Sequence, residues 1–377
     1  MKTQVLRAEP PVDGDDPAFA ELCARVARVL DSGEAVGLPT ETVYGLAARV
    51  EPPFPTGRNA LLESLKGRPA ERPIPLAVGS LGGAREIIRL DHPGALRLAE
   101  RFWPGPLTLV LPAFAGGSKL AVRIPAHPIT GPLLAALKRP IHLTSANPSG
   151  RAPACSADEV VEHFDGSVPL VVDGGPAALG EASAVVEFEG PRPVVHREGL
   201  IDRPMILRTA ATKVLLVCTG NTCRSPMAEA GFRRMWAKLR KVDEDALLAD
   251  GALVESAGVA AFPGIRGSTE AIEVLAKEGI DLRPHRSRSL ELRSLLEADH
   301  VFTLGRGHQD AILQACPEEH LKLVAGKTRA LAGDVDIADP IGGDRQTYQR
   351  CWDQIREAVA QRVEEVELAV RAALPPS

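Results

Sequence analysis

The stretch from Val214 to Glu229 constrains the fold of this chain more than any other part of its sequence. It reads as a short apolar strand, a polar loop from Cys218 to Ser225, and a helix that opens at Pro226. Proline is favoured in the first helical turn because the N–H that it lacks would be unpaired there. A loop at a helix N-terminus presents several backbone N–H groups and the positive end of the helix dipole to one point. The sequence therefore predicts a phosphate-binding loop between a strand and a helix.

Two side chains of this loop suit chemistry on a phosphate group. The field of a helix N-terminus favours the thiolate form of a cysteine, which is the nucleophilic form, so Cys218 is a candidate nucleophile. Arg224 lies six positions later, and its planar guanidinium matches two phosphate oxygens. A cysteine and an arginine at this spacing alone would be ordinary packing and surface residues. The agreement of the strand, Gly220, Asn221 and the helix start favours a catalytic loop.

Length and composition limit the number of domains, the partners and the cellular location that can be expected. A chain of 377 residues with 45% hydrophobic and 25% charged residues is expected to form two globular domains. Its net charge of −5 gives no electrostatic reason to expect direct nucleic-acid binding. No apolar run approaches the length needed to cross a bilayer, and the first residues contain no apolar signal-peptide segment. Six cysteines at irregular spacing fit neither a disulfide framework nor a zinc site, so free thiols and a cytoplasmic location are expected.

The first half contains a series of loops that are each weak evidence alone but specific in this order. The segments are PTETVYGL (39–46), KGRP (66–69), FWPGPLTLVLP (102–112), VRIP (122–125), TSANPSG (144–150) and REGLI (197–201). They resemble the YrdC-like domain of the threonylcarbamoyl-AMP synthase family over residues 15–203. The resemblance implies an α/β fold around a twisted mixed sheet with a large concave face. We therefore predict a first domain over residues 1–205, a linker over 206–212 and a second domain over 213–377.

In that family the concave face holds ATP, threonine and bicarbonate. Threonine forms a carbamate, which attacks the α-phosphorus of ATP to give threonylcarbamoyl-AMP and pyrophosphate, so positioning and cations are expected to dominate catalysis. Mg²⁺ is implied only as the partner of ATP, and the product would pass to a transferase complex that acts on tRNA. The implied nucleotide-binding residues are Lys66, Arg68, Lys119, Ser145, Asn147 and Arg197, and the implied threonine-binding residues are Thr40, Arg123 and Ser183.

Two departures from the family pattern lie near the expected threonine pocket. Gly79 stands where a histidine is expected, and Ala184 replaces the threonine of a Ser-Thr pair. The nucleotide face is intact apart from a longer spacer after KGRP. The sequence therefore leaves two alternatives for the first half, an active synthase or a nucleotide-binding module that has lost its chemistry.

Strands alternate with helices in the second half, which predicts a doubly wound parallel sheet with its site at the carboxyl ends of the strands. The loop CTGNTCRSPMAEA, together with SAG (256–258), HRSR (285–288) and DPIGG (339–343), resembles the low-molecular-weight protein phosphatases over residues 213–370. The resemblance implies catalytic roles for Cys218 as nucleophile, Arg224 as phosphate ligand and Asp339 as acid and base. The other implied phosphate-loop residues are Thr219, Gly220, Asn221, Thr222, Cys223 and Ser225. No metal site is expected in this half.

Within this loop, Ser225 is expected to hydrogen-bond the Cys218 sulfur and Asn221 to brace the backbone. Cys223 has two open interpretations, a reversible disulfide partner of Cys218 or a small packing residue.

The substrate of the second half depends on two positions. Tyrosine-directed members of the family carry a bulky aliphatic residue before the second cysteine and aromatic residues after the Asp-Pro pair, whereas this chain has Thr222 and Ile341-Gly342-Gly343. The loop is similar to that of the bacterial protein-arginine phosphatases, so a phosphoarginine-containing protein is the predicted substrate and phosphotyrosine is the alternative. A tyrosine phosphatase joined to a lapsed nucleotide-binding module is the alternative for the whole chain.

Overall fold

The structure is a computed structural model that describes residues 2–12, 16–51, 56–67, 73–115 and 118–375. The chain divides into two compact units, one up to Ala210 and one from Ala211. No helix in the described ranges combines the length and the low charge needed to cross a membrane.

The first unit contains one mixed sheet in the order β1-β8-β2-β3-β7-β4-β6-β5-β9-β10, in which parallel and antiparallel pairs are interspersed. The mixed α/β sheet predicted from the sequence is confirmed. The elements are β1 (Gln4–Arg7), α1 (Pro17–Asp31), β2 (Val36–Leu38), β3 (Gly45–Arg49), α2 (Ala60–Lys66), β4 (Leu76–Ala77), α3 (Leu81–Ile87), α4 (Pro93–Phe102), β5 (Leu107–Pro112), β6 (Lys119–Arg123), α5 (Thr130–Leu137), β7 (Ile141–Ser145), α6 (Ala157–Phe164), β8 (Leu170–Asp173), β9 (Ala184–Glu189), β10 (Arg192–Arg197) and α7 (Arg203–Ala210).

Helices cover the sheet because its strands bury apolar side chains on both faces. Along β8, Val172 packs with α1 and α5, whereas Val171 points to the opposite face and packs with α2 and α6, as the two-residue period of a strand requires. Asp16 caps α1 by accepting hydrogen bonds from the backbone N–H groups of Ala18 (2.9 Å) and Phe19 (3.1 Å). The far half of the sheet packs with α3, α4 and α7.

Most of the predicted linker over residues 206–212 is helical. Residues 203–210 form α7, whose Ile206 and Ala210 are buried in the core of the first unit, and the next strand starts at Thr212. The stretch is short and weakly patterned, so its burial against α4 depends on tertiary contacts that periodicity does not reveal.

The second unit contains a four-stranded parallel sheet in the order β12-β11-β13-β14, as its alternating pattern predicted. The short apolar run Leu321–Val324 is typical of a strand, but this expectation is wrong, since these residues lie within the helix α12 (Glu318–Lys327), where Val324 is the buried residue. A short apolar run does not distinguish strand from helix. The elements are β11 (Thr212–Cys218), α8 (Arg224–Arg240), a 3₁₀ turn (Glu244–Ala246), β12 (Ala252–Gly258), α9 (Thr269–Lys277), α10 (Leu292–Glu297), β13 (His300–Thr303), α11 (Arg306–Ala315), α12 (Glu318–Lys327), β14 (Thr328–Ala330) and α13 (Arg345–Ala373).

A buried carboxylate joins α13 to α8, the helix that starts at the predicted phosphate loop. Glu367 accepts hydrogen bonds from Trp236 Nε1 (2.8 Å), Arg240 Nε (2.8 Å) and Arg371 Nε (2.9 Å). Burial raises the pKa of Glu367, but these three donors outweigh it and hold the pKa below its usual range. The carboxylate therefore stays ionised at neutral pH and compensates the buried Arg240 guanidinium.

We expect Glu367→Gln to lower the unfolding free energy of the second unit by about 1–3 kcal/mol, because it removes the charge that accepts from three donors and leaves Asp250, at 3.2 Å, as the acidic partner of the Arg240 guanidinium. Urea unfolding followed by tryptophan fluorescence in a Trp103→Phe background, in which only Trp236 and Trp352 of the second unit report, measures this change. Glu364→Gln, on the exposed side of the same helix, is the matched control and should change it by less than about 0.5 kcal/mol. Equal effects of the two substitutions would contradict the role of Glu367.

Candidate active sites

The predicted nucleophile lies at the carboxyl end of the central strand of the second unit. β11 is buried between β12 and β13 and delivers Cys218 opposite Gly258. The helix begins at Arg224, two residues before the predicted start, and Pro226 lies in its first turn. Gly258 is required by the close approach of the loop, since a Cβ there would lie 2.4 Å from the carbonyl oxygen of Thr219.

The Cys218 thiol is buried and faces the loop that follows it. Its sulfur lies 3.3 Å from the backbone N of Asn221, which donates to it, and 2.9 Å from Ser225 Oγ. Only 3% of Cys218 is exposed. Hydrogen bonds from these donors stabilise a sulfur anion, so the arrangement suits a nucleophilic thiolate.

Asn221 holds the loop to two neighbouring segments. Its Nδ2 donates to Ser225 Oγ (2.9 Å) and Ser256 Oγ (2.8 Å), and its Oδ1 accepts from the backbone N of Arg288 (2.9 Å). Its carbonyl oxygen lies 2.8 Å from His285 Nε2. Asn221 is fully buried and has a φ of 54°, a left-handed conformation that asparagine adopts more readily than most residues.

Arg224 and Asp339 meet at the mouth of the loop. The Arg224 guanidinium donates to the carbonyl oxygen of Ile337 (3.2 Å) and forms an ion pair with Asp339 Oδ2. Asp339 Oδ1 accepts from the backbone N of Ile341 (3.2 Å), and the carboxylate is one-third exposed. The structure therefore brings the predicted acid to the predicted phosphate ligand.

Cys223 is buried at the start of α8, and its sulfur lies 3.3 Å from the Tyr348 hydroxyl. All six cysteines of the chain are free thiols. Thr222 Oγ1 lies 3.6 Å from the Cys223 sulfur. The packing interpretation describes this conformation, and a disulfide with Cys218 stays a prediction.

Sequence reasoning missed His308 at this site, and it quoted the motifs that contain Ser256 and Glu229 without assigning these two residues a role. His308 Nε2 lies 3.0 Å from Thr219 Oγ1, and Ser256 Oγ donates to Glu229 Oε2 (2.6 Å). His308 follows the carboxyl end of β13, the edge where parallel sheets place their ligands, and that position is the one signal by which it could have been found.

The first unit contains a cavity of about 660 Å³ against one face of its sheet. Strand alternation separates this cavity from the core: Leu107 and Leu109 of β5 are buried under helices, whereas Thr108 and Val110 line the cavity. Five of the predicted site residues line it, namely Thr40, Arg123, Ser145, Ser183 and Arg197.

Hydrogen bonds orient the predicted threonine-binding residues. Arg123 donates to Glu41 Oε1 (2.7 Å) and to the carbonyl oxygen of Gly105 (3.1 Å). Arg197 Nε donates to the carbonyl oxygen of Ser183 (2.8 Å). A predicted nucleotide-binding residue thus contacts a predicted threonine-binding residue.

Three of the remaining predicted nucleotide-binding residues, Lys66, Lys119 and Asn147, are not among the described residues that line the cavity. Lys66 is buried, and its ammonium group donates to the carbonyl oxygen of Asn147 (2.6 Å) and to that of Ser145, which supports the loop from behind. Lys119 forms an ion pair with Glu187, a cavity residue that the sequence analysis missed. Arg68 lies outside the described residues.

Glu187 also accepts a hydrogen bond of 2.6 Å from His196 Nε2, another missed cavity residue. Burial raises the pKa of Glu187, but Lys119 and His196 together hold it below its usual range. The wall of the cavity thus carries a carboxylate that stays ionised at neutral pH.

The two departures from the family pattern are explained by packing. A Cβ on Gly79 would lie 2.5 Å from the backbone N of Ala135, so α5 leaves no room for a larger residue there. Ala184 is the first residue of β9, and its side chain is fully buried in the core, on the face of the strand opposite the cavity. The Ala184 departure therefore removes no polar group from the cavity.

Comparisons with known proteins match the two units separately. A family model described as "Telomere recombination", which covers the Sua5, YciO and YrdC proteins, matches residues 28–199. A second, described as "Low molecular weight phosphotyrosine protein phosphatase", matches residues 213–372.

Three relatives illustrate the similarity. A threonylcarbamoyl-AMP synthase of Pyrococcus abyssi is 38% identical over 46% of this chain, which spans only about half of that relative (52%). A threonylcarbamoyl-AMP synthase of Halorhodospira halophila is 36% identical over 39% of this chain and 80% of its own length. A protein-arginine-phosphatase of Geobacillus stearothermophilus is 36% identical over 41% of this chain and 96% of its own length. The chain therefore belongs to the threonylcarbamoyl-AMP synthase family through its first unit and to the low-molecular-weight phosphatase family through its second.

Proposed function

We propose that this chain is a bifunctional enzyme, with a cysteine-dependent protein phosphatase in its second unit and a threonylcarbamoyl-AMP synthase in its first. The observation that carries the phosphatase proposal is the Cys218 sulfur beneath the loop amide of Asn221, with Arg224 and Asp339 paired at the mouth. We further propose a cytoplasmic location, supported by the six free thiols.

The phosphatase mechanism follows from this geometry. The Cys218 thiolate attacks phosphorus and forms a phosphocysteine while the leaving group departs. Arg224 and the loop amides bind the equatorial oxygens, where negative charge is redistributed. Once Arg224 has turned to the phosphoryl group, the Asp339 carboxylate takes up a proton from solvent and donates it to the leaving group. As a carboxylate again, it then accepts a proton from the water that hydrolyses the phosphocysteine. Ser225, 2.9 Å from the sulfur, stabilises it as a leaving thiolate in that second step.

A phosphoarginine residue in a protein is the substrate that we propose for this unit. Thr222 offers a hydroxyl rather than an aliphatic wall, and Gly342 and Gly343 follow the Asp-Pro pair where a flat phenol ring would need aromatic partners. The relative from Geobacillus stearothermophilus that carries the name protein-arginine-phosphatase supports this choice. Phosphotyrosine is the second candidate, favoured by the description of the matching family model.

For the first unit we propose that Arg123 binds the carboxylate of threonine and that Ser183 and Thr40 line the same pocket. Arg197 and Ser145 would hold the nucleotide, with Asn147 and Lys66 supporting the Ser145 loop and Lys119 at the rim. ATP would enter with Mg²⁺ as substrate, and bicarbonate would supply the carbamate carbon. The product would be consumed by a tRNA-modifying transferase, which is the proposed partner.

Cys218→Ser should reduce phosphatase turnover to background, because a serine hydroxyl is a far weaker nucleophile.

Asp339→Asn should lower kcat by about 10²–10⁴-fold through loss of acid–base catalysis. Initial rates on a phosphoarginine peptide measure both effects. Pyrophosphate release by the first unit should be unchanged in both variants, and residual dephosphorylation by Cys218→Ser would refute the assignment.

Thr222→Ile should shift the ratio of kcat/KM for phosphoarginine over phosphotyrosine peptides towards phosphotyrosine by at least about tenfold, since it adds an aliphatic wall and removes a hydroxyl. Thr222→Val is the matched control, because it removes the hydroxyl with little change in volume. A ratio that neither substitution alters would defeat the proposed role of Thr222.

The purified chain should release pyrophosphate from ATP only when both threonine and bicarbonate are present. Arg123→Gln should raise the KM for threonine by about 10–100-fold, as expected for the loss of a charge-assisted hydrogen bond, and should leave ATP binding intact. Arg192→Gln, an exposed residue of β10, is the control. ATP binding without threonine-dependent pyrophosphate release would instead favour the lapsed nucleotide-binding module.

A further inference from the structure

His308 contacts the phosphate loop, yet the proposed mechanism assigns it no role. It lies in the first turn of α11, directly after the carboxyl end of β13, and only 8% of it is exposed. Its Nε2 lies 3.0 Å from Oγ1 of Thr219, the residue that follows the nucleophile. A buried imidazole therefore fixes the side chain at the first position of the loop.

The other ring nitrogen is poorly satisfied. His308 Nδ1 is buried and has no well-aligned hydrogen bond among the residues that the structure describes, although the Gly305 carbonyl oxygen lies near the ring. A neutral imidazole leaves only this nitrogen poorly paired, whereas an imidazolium would place a poorly paired charged N–H in the interior. The environment thus accepts the neutral ring and disfavours the charged one.

The charged groups around His308 come from two elements. Arg224 faces it from α8, and Asp336 and Asp339 face it from the segment before α13. Burial is the largest cause that lowers the pKa of His308, and the Arg224 charge lowers it further, against smaller opposing effects of the Gly305 carbonyl and the two carboxylates. Since the ordinary pKa of histidine is about 6.5, His308 is neutral at pH 7 and gains a proton only in more acidic solution.

The start of α11 is also tied to the segment that carries the acid. The backbone N of Arg306 donates to Asp336 Oδ1 (2.8 Å), and the backbone N of Ile337 donates to the carbonyl oxygen of Leu304 (3.1 Å). The carbonyl oxygen of Ile337 accepts from Arg224. His308 therefore lies on a turn that contacts both the phosphate loop and the segment that carries Asp339.

We propose that neutral His308 is a positioning residue of the phosphatase site, which holds the Thr219 hydroxyl and so fixes the first peptide of the phosphate loop, and that its protonation lowers turnover at acidic pH. This inference rests on the proposed phosphatase function and adds a regulatory group to it. An imidazolium beside Arg224 disturbs the Thr219 contact and the loop amides that stabilise the transition state. Protonation of His308 should lower kcat more than it raises KM, because the bound substrate already contacts Arg224.

The test compares kcat against pH from 4.5 to 8 for the full chain and its variants, with para-nitrophenyl phosphate as the probe. His308→Gln keeps a polar group that reaches Thr219 but does not titrate, so it should retain kcat at pH 7.5 within about threefold and lose less activity than the unmodified chain at pH 5. His308→Ala should lower kcat about five- to tenfold at pH 7.5, the size of one hydrogen bond. Ionisation of the probe is common to all variants and cancels in their ratios.

Matched substitutions separate positioning from general damage. Thr219→Val should reproduce the His308→Ala loss, and the double variant should be no worse than either single one, since both remove the same contact. His320→Gln removes an imidazole from α12, away from the loop, and should leave the pH profile unchanged. Melting temperatures of all variants are measured alongside.

Two outcomes overturn the proposal: a ratio of unmodified to His308→Gln kcat that is constant from pH 4.5 to 8, or fully additive losses in the double variant. The backbone amide shift of Thr219, followed by NMR against pH, gives a readout that needs no turnover. It should titrate in the unmodified chain and not in His308→Gln. Absence of phosphatase activity with this titration intact would refute the proposed function alone, and absence of the titration would refute the role of His308.

Discussion

The phosphate loop of the second unit is held by one residue, Asn221, which makes hydrogen bonds to four other residues. Asn221 turns the chain through a left-handed conformation and, with its amide and its carbonyl, joins α8, β12 and the loop at 285–288. Because every bond is made inside the protein, the loop cannot relax without leaving buried polar atoms unpaired. The backbone N–H of Asn221, which faces the Cys218 sulfur, is therefore held in position by the protein itself. Such preorganisation is what electrostatic catalysis requires.

The first unit depends on a different constraint, the two-residue period of its strands. On β5 and β9 one set of side chains closes a core under helices, while the alternate set, including Thr108 and Glu187, faces the cavity. The same alternation explains why Ala184 does not change the lining of the cavity: its side chain points to the core. Gly79 is a separate case, since the backbone of α5 occupies the space that its side chain would need.

Much of this could be read from the sequence, because the relevant signals are local. The strand, loop and helix around Cys218 form from neighbouring residues, and the capping of α1 by Asp16 is equally local. The sequence could not place residues whose role depends on distant partners. Lys66 turns to the carbonyl groups of a loop far along the chain, and His308 reaches Thr219 from another helix. Likewise, the burial of α7 and the helical state of Leu321–Val324 are decided by packing rather than by pattern.

The ion pair between Arg224 and Asp339 has a consequence for how the site responds to anions. At rest the cation is already neutralised by a carboxylate of the same chain, so an incoming oxyanion must exchange places with it. Under the proposed function, small anions that bind weakly would compete poorly with this carboxylate, whereas a phosphoryl group held additionally by the loop amides would displace it. In the proposed mechanism this exchange releases the Asp339 carboxylate only when a substrate binds, so proton transfer by Asp339 would be conditional on a bound substrate.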